Sequence, residues 1–335
     1  KSNYAEINSN SLRQMLFSII SRKITKLKSG MRWPVVLREI GPGGQLFLLL
    51  LLLLVCGIFS VSLAYFISLI IWGSATILIP AADEASNLNF VRFFQMANQV
   101  GIFLLPPVLL AMLTEAHPSV FLKNTRPRPL HLLLAMLMIL TAGPFINLLI
   151  SWNEAMRLPE FLAGLEHWMR NAEESAARLT NRFLTATGTF DLIVNVVMIG
   201  LLPAIGEELL FRSALIGILR KFFKQVHWPV ILSALIFSAF HLQFFGFLPR
   251  FVLGLGLGYL FVWSGSVWVP VLVHFVNNIT VVLISYLYQH DLISTGIETF
   301  GQTSSPFLLA ASVILPALTL FLVYHSGKTT NKGSA

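Results

Sequence analysis

Along the chain, long uninterrupted apolar runs alternate with short polar or charged segments. Eight such runs lie at roughly 46–72, 92–113, 130–151, 190–219, 228–243, 247–264, 268–288 and 306–325. A helix needs about 20 apolar residues to cross the ~30 Å of hydrocarbon in a bilayer, and most of the runs reach that length. Strands of a membrane barrel would instead alternate in polarity over about 10 residues. The pattern therefore predicts an all-α integral membrane protein with about eight transmembrane helices. The first run, Leu46 to Trp72, is too long for a signal-peptide core, so no cleavable signal is expected.

Two further segments have helical periodicity without being apolar throughout. Leu12, Leu16, Ile19, Ile20, Ile24 and Leu27 recur among Arg22, Lys23, Lys26 and Lys28, as in a basic amphipathic helix lying on an anionic leaflet; a disordered basic tail is the alternative. Leu158, Phe161, Leu162, Leu165, Trp168, Met169, Ala172 and Leu179 form a stripe opposite Glu166, Arg170, Glu173 and Glu174, which reads as an external surface helix or lid. The chain thus divides into a basic amphipathic segment (1–45), three membrane helices (46–151), the external helix (152–189), a four-helix core (190–288), and a last span with its tail (289–335).

Charge fixes the orientation. With the N-terminus in the cytoplasm, 17 of the 23 Lys and Arg residues face inward and ten of the 15 Asp and Glu residues face outward. Both termini are then cytoplasmic, in a bacterial-type inner or plasma membrane. Composition agrees, since 56% of residues are hydrophobic and only 11% charged, too few to cover a soluble fold of 335 residues. The net charge of +8 flanks apolar spans rather than forming a basic face, which excludes a nucleic-acid partner. The single cysteine, Cys56, lies within the first run and reads as a small core or lipid-facing residue.

Ionisable groups inside a span are costly and mark function unless a partner explains them. They occur in three places: Glu207-Glu208 with Arg212, Phe237 with His241, and His274 with Asn278. Glu208 and Arg212 are four apart on one helical face, in the favourable order for an ion pair, whereas Glu207 points about 100° away and is left without that partner. Pro203 frees a carbonyl one turn earlier, and Gly206 permits close approach. Counted from the inner boundary, Glu207, His241 and Asn278 each lie 13 residues deep, roughly 20 Å at 1.5 Å per residue. A carboxylate beside an imidazole can deprotonate water, and a second imidazole with a carboxamide can donate to an oxyanion. Glu208 with Arg212 alone fits a structural ion pair, and one membrane histidine fits a helix-bridging donor. Glu207, His241, His274 and Asn278 together exceed what packing requires.

On these residues the chain resembles the CPBP family of intramembrane glutamic endopeptidases, the CAAX proteases and bacteriocin-processing enzymes related to the type II CAAX prenyl endopeptidase. The family pattern is E-E-x-x-x-R, F-x-x-x-H and H-x-x-x-N/D. Here it reads Glu207-Glu208-x-x-x-Arg212, Phe237-x-x-x-His241 and His274-x-x-x-Asn278, with intervals of 34 and 33 residues between the leading Glu, the first His and the second His. The resemblance spans about 190–288 and includes Gly254, Gly256 and Gly258, which suit helix packing rather than a nucleotide loop. It implies that Glu207 activates water, that His241 assists, that His274 and Asn278 form the oxyanion site, and that Glu208 and Arg212 support them. It implies an endopeptidase of membrane-associated peptides or proteins, prenylated ones included, without cofactor or metal. Trp263 departs from the pattern, where relatives often carry a basic residue, and is expected to reshape the inner mouth. Three rivals remain: a zinc peptidase using Glu207, His241 and His274, although no His-Glu-x-x-His occurs; a proton or ion-coupled transporter; and a catalytically idle scaffold or bacteriocin self-immunity protein.

Overall fold

The computed structural model describes residues 37, 39–73, 87–185, 188–297 and 299–331; the amphipathic segment expected around 12–28 lies outside them. The described residues are helical wherever they are regular, with no strand among them. In chain order the helices longer than two turns are α1 (Pro42–Trp72), α2 (Leu88–Thr114), α3 (Pro129–Glu154), α4 (Ala163–Leu184), α5 (Thr189–Leu219), α6 (His227–Ala239), α7 (Phe247–Ser264), α8 (Trp268–Gln289) and α9 (Pro306–Asn331).

Seven of these are long and apolar enough to cross a membrane: α1, α2, α3, α5, α7 with the single turn Phe244–Gly246 that precedes it, α8 and α9. The run 228–243, expected as an eighth span, is corrected by the structure. Its helix α6 ends after 13 residues, about 20 Å, short of the ~30 Å of hydrocarbon. The chain turns at Phe240–Gln243, where Leu242 adopts φ 52°, and Ser238 Oγ donates to the Phe247 carbonyl at 2.7 Å across the reversal. Hydropathy continues through this turn because Phe240, Leu242 and Phe244 are apolar. Glycines bring the two arms of the hairpin together: a Cβ on Gly258 would lie 2.8 Å from Val230, and one on Gly254 would lie 3.2 Å from Ala234.

The central group is α5, α6, α7 and α8. α1 and α2 pack on the α5 side, α3 packs on α7 and α8, α9 packs on α3 and α7, and α4 crosses one end, touching α2, α8 and the 244–246 turn. Exposure follows this order. In α1 and α9, 17% of the most apolar stretch is buried, against 39% in α7 and α8, so the outer helices offer Leu54, Phe66, Ile314 and Phe321 to surrounding lipid. Trp263 stacks on Tyr259 with centroids 4.6 Å apart and meets Tyr324 of α9 at 5.2 Å, so its side chain packs α7 against α9.

Wide π-helical turns interrupt α2 at Gln99–Leu104 and α5 at Val196–Leu201 and Glu208–Ile216. Two of them run directly into prolines, Pro106 and Pro107 in α2 and Pro203 in α5. Proline supplies no N–H to the carbonyl four residues back, and a wider turn redistributes those acceptors. The two interruptions meet. A Cβ on Gly206 would lie 2.9 Å from Phe103 Cβ, so glycine at this position lets α5 press onto the wide turn of α2 just before Glu207.

Candidate active site

A cavity of about 430 Å³ opens where α2, α4, α5, α8 and the turn after α6 meet. Glu207 and Pro203 of α5, His241 of the turn, and His274 and Asn278 of α8 form one wall; Gln95, Gln99 and Phe103 of α2 with Ala176, Leu179, Thr180 and Phe183 of α4 form the other. The four residues singled out in the sequence are therefore brought to one surface, while Glu208 and Arg212 lie behind it, almost fully buried.

The first wall is built around His274. Its Nδ1–H donates to Glu208 Oε1 at 2.8 Å, and its Nε2 lies 3.8 Å from Glu207 Oε2. Two consecutive acids of α5 thus flank one imidazole of α8, one at each ring nitrogen. Arg212 pairs with Glu208 and not with Glu207, as the helical spacing predicts, and Glu207 instead faces an imidazole of another helix. Glu208 also faces Arg212, whose Nε is 3.1 Å from Glu208 Oε2; the two atoms are not aligned as a hydrogen bond and act as an ion pair. Arg212 donates to the Gly254 carbonyl at 3.4 Å and lies over the Phe237 ring at 4.5 Å. Isolated charges at this depth would cost several kcal/mol each, and this mutual pairing offsets that cost.

His241 occupies the turn that ends α6. Its Nδ1 faces the Phe237 carbonyl at 2.9 Å, and because a carbonyl only accepts, Nδ1 carries the proton and the neutral ring presents Nε2 as an acceptor. The turn is tied from two sides. Arg250 of α7 donates to the Gln243 carbonyl at 3.1 Å and also to Gln243 Oε1, while Glu173 of α4 accepts from the Phe245 N–H at 2.8 Å. Arg250 is one of the six Lys and Arg residues that the charge pattern leaves on the outer side. As an arginine inside an apolar helix, it meets the same criterion that singled out Arg212.

Asn278 explains the fate of the carbonyl that Pro203 releases. Its Nδ2 donates to the Ile199 carbonyl, four residues before Pro203, at 3.1 Å, and its Oδ1 accepts from Asn277 at 3.2 Å. The carboxamide is therefore fixed in orientation, with its second N–H still to donate.

α4 closes the outer wall and is pinned at both ends. Near its start, Glu166 accepts from the Leu158 N–H and from Arg170, and these donors hold its carboxyl below the usual carboxylate range. At its end, buried Arg92 donates to the carbonyls of Phe183 and Thr185 and pairs with Asp191 of α5 at 2.6 Å, satisfying acceptors that a helix terminus leaves open. Phe161 and Trp168, placed by periodicity on the apolar stripe, remain largely exposed; the cavity is met instead by the last two turns of α4. Among the described residues, no three His, Cys, Asp or Glu side chains are grouped so as to hold a metal ion.

Fold and site together define a multi-pass helical membrane protein with a buried acid, imidazole and amide constellation inside its bundle. Residues 189–280, which carry Glu207, Glu208, Arg212, His241, His274 and Asn278, match the family model of the type II CAAX prenyl endopeptidase, Rce1-like. This is consistent with the CPBP and CAAX protease family and supports a CAAX-type intramembrane protease in general, with a membrane-associated peptide as substrate. No curated protein and no solved structure matched the chain.

Proposed function

We propose that the chain is a glutamic-type intramembrane endopeptidase that hydrolyses a peptide bond of a membrane-associated protein or peptide, prenylated ones included, and that it works without a metal ion or cofactor. Glu207 takes a proton from a water molecule in the cavity while His241 Nε2 accepts the water's second hydrogen as a hydrogen bond and orients it. The resulting hydroxide adds to the substrate carbonyl. The free N–H of Asn278, with His274 held between the two acids, stabilises the oxyanion. Collapse breaks the C–N bond, and the proton held by Glu207 passes to the departing nitrogen, restoring the carboxylate. Glu208 and Arg212 hold His274 and the wide turn of α5 in place. The charge asymmetry supports cytoplasmic termini in a bacterial-type inner or plasma membrane.

The observation that carries this reading is the convergence of Glu207, His241, His274 and Asn278, drawn from three separate chain segments, on one cavity. The test is cleavage of membrane-anchored peptides by protein reconstituted in liposomes. Glu207→Gln is expected to reduce the rate at least about 10³-fold, within the range for loss of a general base, while thermal unfolding stays unchanged. Wild-type turnover by that variant refutes the assignment, and an activity that chelators abolish and zinc restores refutes metal independence.

A further inference from the structure

Gln95 and Gln99 lie on the cavity wall contributed by α2, four residues apart where the helix passes into its π-helical turn, and Phe103 continues the same stripe. Neither carboxamide has a side-chain partner among the described residues, and Gln99 Oε1 is shielded from the surface as well as unpaired. Polar groups removed from water are normally paired, all the more inside a membrane domain. On the facing wall His241, His274 and Asn278 each have a hydrogen-bond partner within the protein, whereas both carboxamides of this pair await one. Thr180 of α4 adds an acceptor on the same side, since its hydroxyl proton is already given to the Ala176 carbonyl at 2.9 Å.

Each carboxamide offers one acceptor and two donors, the complement of a peptide unit. Their spacing adds a further constraint. Four residues of helix rise about 6 Å, and residues on the same side of an extended chain recur every ~6.5–7 Å. Two glutamines one turn apart therefore match two same-side peptide units of an extended strand. A helical substrate cannot use them, because its N–H and C=O groups are already paired internally.

We propose that Gln95 and Gln99 form a rail that binds the backbone of an extended, non-helical stretch of peptide beside Glu207, so that the enzyme selects substrates by local unwinding and largely ignores their side chains there. This rests on the hydrolytic reading of the cavity.

The experiment uses the full chain in liposomes with an anchored peptide that the wild type cleaves. Gln99→Leu and Gln95→Leu are each expected to raise KM about tenfold, with kcat changed less than about twofold; Gln99→Met and Gln95→Met serve if a leucine variant lowers the unfolding midpoint. The substrate side is then varied by replacing single amides flanking the cut with esters, which deletes one N–H at a time. At one position the ester should raise KM in the wild type by a similar factor, yet add nothing in Gln99→Leu, the non-additivity expected of two groups in contact. Unchanged KM in both glutamine variants, or ester and glutamine effects that multiply at every position, overturns the rail. Binding of an anchored peptide to Glu207→Gln protein, measured whether or not the wild type cleaves that peptide, separates the two readings. A wild type that cleaves nothing, with peptide binding that still weakens on Gln99→Leu, keeps the rail and removes the hydrolytic reading; binding that does not weaken removes the rail.

Discussion

The two walls of the cavity satisfy their polar atoms in different ways. On the wall of α5 and α8, His274 is hydrogen-bonded to Glu208 and faces Glu207 at 3.8 Å, Asn278 is fixed by Ile199 and Asn277, and Glu208 is backed by Arg212. On the wall of α2 and α4, Gln95 and Gln99 carry uncommitted carboxamides beside apolar Phe103, Leu179 and Phe183. The first arrangement keeps donors and acceptors oriented before any substrate arrives, as stabilisation of developing charge requires. The second leaves hydrogen-bonding capacity for the substrate to fill.

Substitutions on the first wall should have the larger consequences. Arg212→Met leaves Glu208 buried with only His274 opposite it, and a destabilisation of about 3–5 kcal/mol is expected in unfolding experiments on the purified protein. An unchanged unfolding midpoint would show that His274 alone neutralises Glu208. Asn278→Ala should lower kcat by about 10²–10³ while KM moves little, the size of effect seen when one oxyanion donor is removed. A variant that is less stable but cleaves at the wild-type rate would confine Asn278 to bracing the Ile199 carbonyl. On the second wall the glutamine substitutions should act mainly on KM, about tenfold each, and a kcat loss as large as that of Asn278→Ala would erase the distinction between the walls.

The smallest effect concerns the seating of α4. The carboxyl of Glu166 is held below its ordinary range by the Leu158 N–H and by Arg170. Its contribution is complete above the ordinary carboxylate pKa of about 4.3 and is lost as pH falls through the lower folded value. Amide exchange at Leu158 should therefore quicken at acidic pH, after correction for intrinsic exchange, and should become independent of that transition in Glu166→Gln. Protection of Leu158 that persists unchanged through the acidic range would show that the carboxylate does not seat the helix.

The contrast between the walls also marks what could be read from the sequence. Charged and histidine side chains inside apolar runs are conspicuous, so Glu207, Glu208, Arg212, His241 and His274 stood out, and constant spacing joined them to Asn278. Gln95 and Gln99 are uncharged and barely disturb the hydropathy of their span, so the sequence does not set them apart from ordinary span residues. The pairing of Glu207 with His274 depends on how α5 and α8 face each other, which periodicity along either helix cannot specify. The short α6 was hidden because its reversal is made of apolar residues, held by Ser238 and a left-handed Leu242 instead of by a polar loop. Arg250 showed its charge but not its purpose, since the turn it ties lies seven residues earlier in the chain, at Gln243.

Activation of water by the Glu207 carboxylate within the membrane is tested most sharply by a comparison of protein termini. Membranes containing wild-type protein and membranes containing Glu207→Gln at equal abundance would be compared for newly formed peptide ends. A defined set of cleavages in membrane-associated proteins is expected to disappear with Glu207→Gln and to return with the wild type. The same set persisting at the same rate in Glu207→Gln would contradict activation of water by Glu207.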